Sequence, residues 1–121
     1  MNTKLKVTNI GEMVEAFAEE NLIILFGPQA TSELMSISVM HEFLNEPGEH
    51  VIRKGTKIQI NDEVFTVTDF GSAANSNFKT LGHISIYFKE SIDELLPGAI
   101  LVEPAGAPDI KEGDLIEFIN E

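Results

Sequence analysis

The fold class is decided by Lys57-Ile-Gln-Ile-Asn-Asp-Glu-Val-Phe-Thr-Val-Thr-Asp69, in which two alternating segments flank a short polar turn. Apolar and polar residues alternate on both sides of Asn61-Asp62, as they do in strands that bury one face. Asn and Asp tolerate the positive φ angles that a two-residue hairpin turn requires. The stretch therefore predicts a β-hairpin.

Segments of similar character recur on both sides of this hairpin. We predict further strands over Lys4–Ile10, Leu22–Phe26, Met35–Phe43, His83–Phe88, Ala99–Glu103 and Leu115–Ile119. Amphipathic spacing predicts a short helix over Glu12–Glu20, and single helical turns are expected at Thr31–Leu34 and within Gly71–Gly82. About seven or eight short strands with one or two short helices favour one mostly β domain over residues 1–121, an antiparallel barrel or sandwich.

Composition restricts the partners and the compartment. Eight Lys and Arg residues against twenty Asp and Glu residues give a net charge of −12; this charge keeps a protein soluble, argues against nucleic acid as a partner and would attract a basic protein surface. No apolar run approaches the ~20 residues that span a bilayer, and the N-terminus lacks a signal-like apolar region. The absence of cysteine excludes disulfides and thiolate chemistry. We expect a cytoplasmic protein that does not insert into the membrane.

The segment Met35–Gly48 passes from the third predicted strand into an acidic turn, and His41 lies where the two meet. His41 shares the parity of Ile37 and Val39, which predicts an exposed imidazole at the rim of the core. A bulge near Glu42 could turn it further outward. Histidine titrates near neutral pH, so it could serve there as nucleophile, base or ligand. A structural histidine satisfied by a backbone carbonyl is an equally simple interpretation.

Motifs for metal and cofactor binding are incomplete or absent. The segment His41-Glu42-Phe43-Leu44-Asn45 begins like H-E-x-x-H but carries Asn at the second ligand position, and that motif needs a helix. His41, His50 and His83 could still converge in a barrel, so a metal-dependent enzyme stays open as an alternative. No G-x-S-x-G, Walker A or G-x-G-x-x-G segment is present. We expect no cofactor and no metal.

The remaining chemistry is that of histidine itself. Imidazole can form a covalent phosphoramidate and so divide a phosphoryl transfer into two steps. The phosphoryl group then needs backbone N–H, hydroxyl or cationic donors. Gly71, Ser72 and His83 are residue types that could supply them, with Lys54 a more remote candidate. The simpler interpretations are a turn at Gly71-Ser72, a structural histidine at the start of a strand for His83 and a solvated side chain for His50.

Several segments, taken in order and spacing, resemble the glucitol/sorbitol-specific IIA component of the bacterial phosphoenolpyruvate-dependent sugar phosphotransferase system. They are Phe26–Ala30, Ser38–His41, Val67–Ala74, Asn77–Phe88, Pro97-Gly98 and Ile110–Leu115. The resemblance implies a domain that takes a phosphoryl group from the histidine of the phosphocarrier protein HPr. It passes the group to a cysteine of the IIB domain of the IIBC permease, which phosphorylates the sugar during uptake.

The resemblance also implies roles for individual residues. The family's phospho-accepting histidine falls on His41, and the lack of cysteine fits a IIA component because the cysteine belongs to IIB. Some relatives carry a second histidine two residues later, where this chain has Phe43, so an assisting role there does not carry over. His83 lies in the longest resembling segment and is the candidate for contacting the phosphate. The alternative is a non-catalytic β-barrel module that binds a small ligand or a regulatory protein.

Overall fold

The computed structural model describes residues 2–120, which form eight strands and three short helices. In chain order these are β1 (Asn2–Ile10), α1 (Val14–Glu19), β2 (Leu22–Phe26), α2 (Ser32–Ile37), β3 (Val39–Phe43), β4 (Lys57–Ile60), β5 (Glu63–Phe70), α3 (Ala74–Leu81), β6 (Ile84–Tyr87), β7 (Ala99–Glu103) and β8 (Leu115–Ile119). Within this part of the chain no helix is long and apolar enough to cross a bilayer.

The strands close into a barrel in the order β1-β3-β2-β6-β7-β5-β4-β8, and β8 pairs with β1. The prediction of a mostly β, single-domain barrel is confirmed. Six neighbouring pairs are antiparallel, whereas β2–β3 and β6–β7 are parallel. A parallel pair needs a long crossover connection, which the segment containing α2 supplies for the first pair and the segment between β6 and β7 supplies for the second.

The hairpin from which the fold class was predicted is present as β4 and β5. Ile60 pairs with Glu63 across a two-residue turn, in which Asn61 takes a φ of +54°. The alternation also has the predicted meaning, because Ile58 and Phe65 are buried in the barrel interior. Period-two patterning was sufficient here because one face of each strand is packed in the core and the other faces water.

The predicted strand over Met35–Phe43 is wrong in its first half. Met35 and Ile37 belong to α2, and the strand begins at Val39. The side chain of Thr31 accepts a hydrogen bond from the Leu34 backbone N–H, as a helix N-cap does. The predicted helical turn at Thr31–Leu34 therefore continues for another turn, and it overrides the alternating pattern that follows it.

The third helix, α3, packs its buried face over the barrel core. The ring of Phe78 is fully buried, with its centroid 5.2 Å from that of Phe43 and 4.7 Å from that of Phe118. The helix ends at Leu81, and Gly82 follows in the left-handed conformation, as is common for the residue that terminates a helix. This end of α3 brings Gly82 against the histidine of β3.

Candidate functional site

The side chain of His41 lies inside the barrel and not at its rim. It is 1% exposed, and in the β1–β3 ladder His41 is opposite Val7. The expectation of an exposed imidazole is therefore wrong. The predicted irregularity does occur beside His41, but on the other strand: the register shifts between Val7 and Asn9 of β1. The extra residue is accommodated in β1, and β3 keeps its imidazole directed into the core.

One hydrogen bond fixes the His41 ring. Its Nε2 lies 2.7 Å from the carbonyl oxygen of Gly82, and because a carbonyl can only accept, Nε2 is the donor. The edge-on ring of Phe43 has its centroid 5.1 Å from that of His41, and Phe78 lies beyond it at 6.4 Å. The Nδ1 atom is buried and has no hydrogen-bond partner among residues 2–120. The imidazole is thus held at one nitrogen, and the other is unused.

Burial governs the protonation of this ring. Desolvation lowers the pKa of His41 below its ordinary value of 6.5, and the backbone groups of Gly82 and Glu42 act in the opposite direction. The contribution of Glu42 is not accompanied by a hydrogen bond to Nδ1, which has none among residues 2–120. A lowered pKa keeps the imidazole neutral at neutral pH. A neutral ring that donates from Nε2 carries its lone pair on Nδ1, so the site contains one potential nucleophile in an apolar setting.

Gly82 approaches His41 so closely that no other residue fits. A Cβ atom at this position would lie 2.8 Å from Cε1 and 2.9 Å from Nε2 of His41, and its φ of +65° favours glycine in addition. Three backbone hydrogen bonds keep this segment in place: Gly82 donates to Phe78 (2.9 Å), His83 donates to Asn77 (3.3 Å), and Gly27 donates to Leu81 (2.8 Å). The carbonyl that binds His41 is therefore a fixed part of the end of α3.

His83 follows Gly82 directly and lies between the helix and β6. Its ring is partly buried, with its centroid 4.6 Å from that of Phe26, and burial lowers its pKa as well. Its Nδ1 is buried without a hydrogen-bond partner in the part of the chain that the structure describes. Of the residues singled out from the sequence, His41 and His83 are related through Gly82, because His41 binds the Gly82 carbonyl and His83 follows Gly82 in the chain.

Gly71 and Ser72 lie at the opposite end of α3. At a rise of 1.5 Å per residue, the eight-residue helix separates its ends by about 12 Å. Gly71 is required by packing, because a Cβ there would lie 2.3 Å from the carbonyl oxygens of Leu96 and Pro97. Ser72 is exposed, in a surface depression it shares with His50 and Lys79. None of the hydrogen bonds or ring contacts of His41 within residues 2–120 involves either residue.

The three histidines do not converge. His50 lies in an exposed loop, and Lys54 in the exposed turn that precedes Gly55. Within the described range 2–120, no group of three histidine, aspartate or glutamate side chains is arranged to hold a metal ion. The site at His41 therefore consists of one imidazole, backbone groups and aromatic rings.

Sequence reasoning missed the covering of His41. The turn at Leu81-Gly82 was recognisable as a helix end, but nothing local indicates that the Gly82 carbonyl lies against a residue 41 positions earlier. Phe78 was likewise visible only as an apolar residue within a predicted helical turn. A glycine after a helix has a sufficient local explanation, so its second role could not be predicted.

The fold and the site together define a small closed β-barrel that buries one imidazole beneath the end of a helix. Over residues 2–117 the chain matches the family described as "PTS system glucitol/sorbitol-specific IIA component", and it belongs to that family. The resemblance stated from the sequence is thereby confirmed.

The comparisons with individual proteins cover nearly the whole chain. The proteins of Shigella flexneri and Escherichia coli (strain K12) described as "PTS system glucitol/sorbitol-specific EIIA component" are each 24% identical over 112 residues, 93% of this chain and 89% of the relative. The crystal structure of the PTS system IIA component from Enterococcus faecalis V583 has a TM-score of 0.87 at 28% identity, covering 97% of this chain and 99% of that one.

Proposed function

We propose that the chain is the phosphoryl-carrier domain of a glucitol/sorbitol uptake system, with His41 as the residue that carries the phosphoryl group. It accepts the group from phosphorylated HPr and passes it to the cysteine of a IIB domain of the IIBC permease, as a cytoplasmic IIA domain. The observation that carries the proposal is the state of His41: a neutral imidazole, fixed through Nε2, with an unpartnered Nδ1. Membership of the family supports the direction of transfer.

Both transfers are in-line displacements at phosphorus. In the first, a lone pair of His41 forms the new N–P bond while the N–P bond of the donor histidine breaks, and the electron pair returns to the donor ring. In the second, the IIB thiolate attacks and the His41 ring leaves with the electron pair of its N–P bond. Little acid–base chemistry is required, so positioning of the ring supplies most of the rate.

The phosphoryl group adds a charge of roughly −2 to an already acidic chain. His83 is the supporting residue that we propose, because it adjoins the peptide that binds His41 and its ring is only partly buried. Gly71 and Ser72 lie at the opposite end of α3 from His41. They would contact the phosphoryl group only if it left His41 and moved along the helix with the partner protein. We therefore assign the supporting role to His83 in preference to that pair.

Burial of His41 has a consequence for the encounter with HPr. At 1% exposure the ring cannot meet a second histidine in line until a neighbouring group moves. Docking of the carrier is then coupled to the movement of a neighbouring side chain, such as the partly buried ring of Phe43 that lies edge-on to His41. A coupled step of this kind slows association relative to docking on a preformed surface.

The test is phosphorylation of the chain with phosphoenolpyruvate, enzyme I and HPr, followed by mass spectrometry. We expect one acid-labile, base-stable phosphoryl group on the wild type, none on His41→Ala, and a slower but complete reaction on His83→Ala. His50→Ala, which removes an exposed histidine that is not among the contacts of His41 described above, is the matched control and should behave like the wild type. Label that persists in His41→Ala and disappears in His83→Ala would refute the assignment.

The burial of His41 also favours a second function, a non-catalytic barrel that binds a regulatory protein or a small ligand. In that case the hydrogen bond to Gly82 is purely structural, and the histidine is a satisfied core residue. The same experiment separates the two functions, since such a module gains no phosphate from HPr at any concentration. A wild-type protein that is folded but stays unlabelled, under conditions in which HPr itself is phosphorylated, would support the second function.

A further inference from the structure

The unexplained atom of this site is the Nδ1 of His41. Most buried polar atoms in proteins have a hydrogen-bond partner, and an exception calls for a reason. Here Nδ1 has none among residues 2–120, although Nε2 of the same ring makes a short hydrogen bond to the Gly82 carbonyl. The fold therefore gives the two nitrogens different environments, since one is hydrogen-bonded and the other is not. Since the bond at one imidazole nitrogen decides what the other can do, this asymmetry has a chemical meaning.

We propose that Gly82 is the positioning residue of His41: its carbonyl holds the ring as the Nε2–H tautomer, so that Nδ1 is the nitrogen that accepts and releases the phosphoryl group. This inference rests on the proposed function and specifies the reacting atom. Gly82 does not touch the phosphoryl group. It acts through the imidazole, whose tautomer and orientation it fixes.

The proposed step balances without moving a proton on His41. The lone pair of Nδ1 forms the bond to phosphorus, the donor's N–P bond breaks, and its electron pair stays on the donor ring. The His41 ring then carries a proton on Nε2 and the phosphoryl group on Nδ1, and is formally an imidazolium. The carbonyl of Gly82 keeps the same hydrogen bond throughout and strengthens it as the ring becomes positive.

The end of α3 is suited to this charge. Carbonyl groups at a helix C-terminus carry a partial negative charge that favours a cation close by. The backbone of Gly82 already acts on His41 in this direction, since it favours the protonated ring over the neutral one. The positive charge on the ring develops only during attack. A group that stabilises this charge therefore lowers the barrier to transfer and does not merely lower the energy of the resting state.

The first experiment measures the tautomer directly, with no variant. In the unphosphorylated wild type, ¹⁵N NMR of histidine-labelled protein should show a pyrrole-type, protonated Nε2 and a pyridine-type Nδ1 for His41. After reaction with phosphorylated HPr, the ¹H–¹⁵N correlation pattern should identify Nδ1-phosphohistidine. A protonated Nδ1 in the resting ring, or a phosphoryl group on Nε2, would overturn the inference and leave the proposed function intact. Absence of any phosphohistidine would refute the function, whatever the tautomer.

The second experiment compares two glycine substitutions. Gly82→Ala inserts a methyl group within 3 Å of the imidazole, whereas Gly55→Ala, at a φ of +96°, has nothing within 4 Å. Both strain the backbone, but only the first displaces the carbonyl from His41. We expect phosphorylation to slow by about 10-fold to 100-fold in Gly82→Ala, with the His41 signals converting to a mixture of tautomers, and both properties unchanged in Gly55→Ala.

The outcome of the variant pair is decisive in either direction. A folded Gly82→Ala that keeps the wild-type tautomer and rate would show that the carbonyl has no positioning role. If Gly82→Ala does not fold, the wild-type tautomer and the phosphorylated nitrogen decide the matter by themselves.

Discussion

His41 binds the Gly82 carbonyl and His83 follows Gly82 in the chain, and the two histidines show what burial alone does and does not achieve. Burial lowers the pKa of both rings. Only His41 is in addition fixed by a hydrogen bond and enclosed by the rings of Phe43 and Phe78. His83 instead packs against the tilted ring of Phe26 and stays partly open to solvent. Lowering the pKa makes an imidazole neutral, but fixing its orientation requires neighbours on several sides.

The largest expected effect comes from removing the ring of Phe78, which packs near His41. Phe78→Ala deletes a fully buried ring that contacts Phe43 and Phe118, and the free energy of unfolding should fall by about 3–5 kcal/mol. The measurement is urea unfolding at neutral pH. With this ring gone, His41 becomes more like His83, and its Nε2–H proton should exchange faster with solvent.

The matched control for this variant is Leu115→Ala, at a side chain that is 55% exposed. Surface substitutions of this kind change stability by about 0.5 kcal/mol or less. Equal losses in the two variants would mean that Phe78 does not support the core over His41, and the distinction between the two histidines would lose its structural basis.

An intermediate effect is expected from pH. Each ring has a folded-state pKa below 6.5, the unfolded value, so below about pH 6.5 the unfolded chain binds protons that the folded chain does not. The free energy of unfolding therefore falls as the pH falls from 6.5 towards the folded pKa. The loss of stability between about pH 7.5 and about pH 5.5 should shrink in His41→Gln, and shrink less in His83→Gln because His83 is less buried.

Urea unfolding at the two pH values provides the measurement, and taking the difference from the wild type cancels the titration of the carboxylates. A larger effect for His83→Gln than for His41→Gln would reverse the order of burial that distinguishes the two rings.

The local part of this structure could be predicted from the sequence. The hairpin at Lys57–Asp69 and the helix end at Leu81-Gly82 follow from alternation and from glycine, because both signals act over a few residues. The strand predicted at Met35 failed because a capped helix competes with the same alternating pattern, and a pattern alone does not rank the two. Parallel pairing of β2 with β3 was not foreseen either, since alternation is silent about strand direction.

The site itself was only half predictable. His41 was selected by the exclusion of other chemistries and by the resemblance, and both act on residue type. Its burial and its partner Gly82 depend on contacts between residues 41 positions apart, which no local rule encodes. Gly71 and Ser72 were grouped with His41 because their types suit phosphate binding, yet α3 lies between them and the ring. Residue type indicates which chemistry is available, whereas the fold determines which residues lie close enough to act together.

The smallest expected effect concerns the approach of the carrier HPr. It compares the surface charge beside His41 with that beside His83. Glu42, next to His41, is exposed, whereas no acidic residue lies within two positions of His83. Glu46 is also exposed, and Glu49 is paired with Lys79 at 3.4 Å, so Glu42 and Glu46 are the carboxylates we expect to attract a basic surface of HPr.

Transfer from HPr to the wild type should slow as salt is raised through about 0.1 M, where charges more than about 10 Å apart become screened. Glu42→Gln should be slower than the wild type by a few-fold at low salt and equal to it at high salt, because the substitution removes steering and leaves His41 in place. Asp62→Asn, in the β4–β5 turn, makes the same change in net charge and serves as the control. Steering by the surface beside His41 predicts a larger effect for Glu42→Gln. Equal effects would assign the attraction to net charge alone, and a wild-type rate that is indifferent to ionic strength would exclude electrostatic steering altogether.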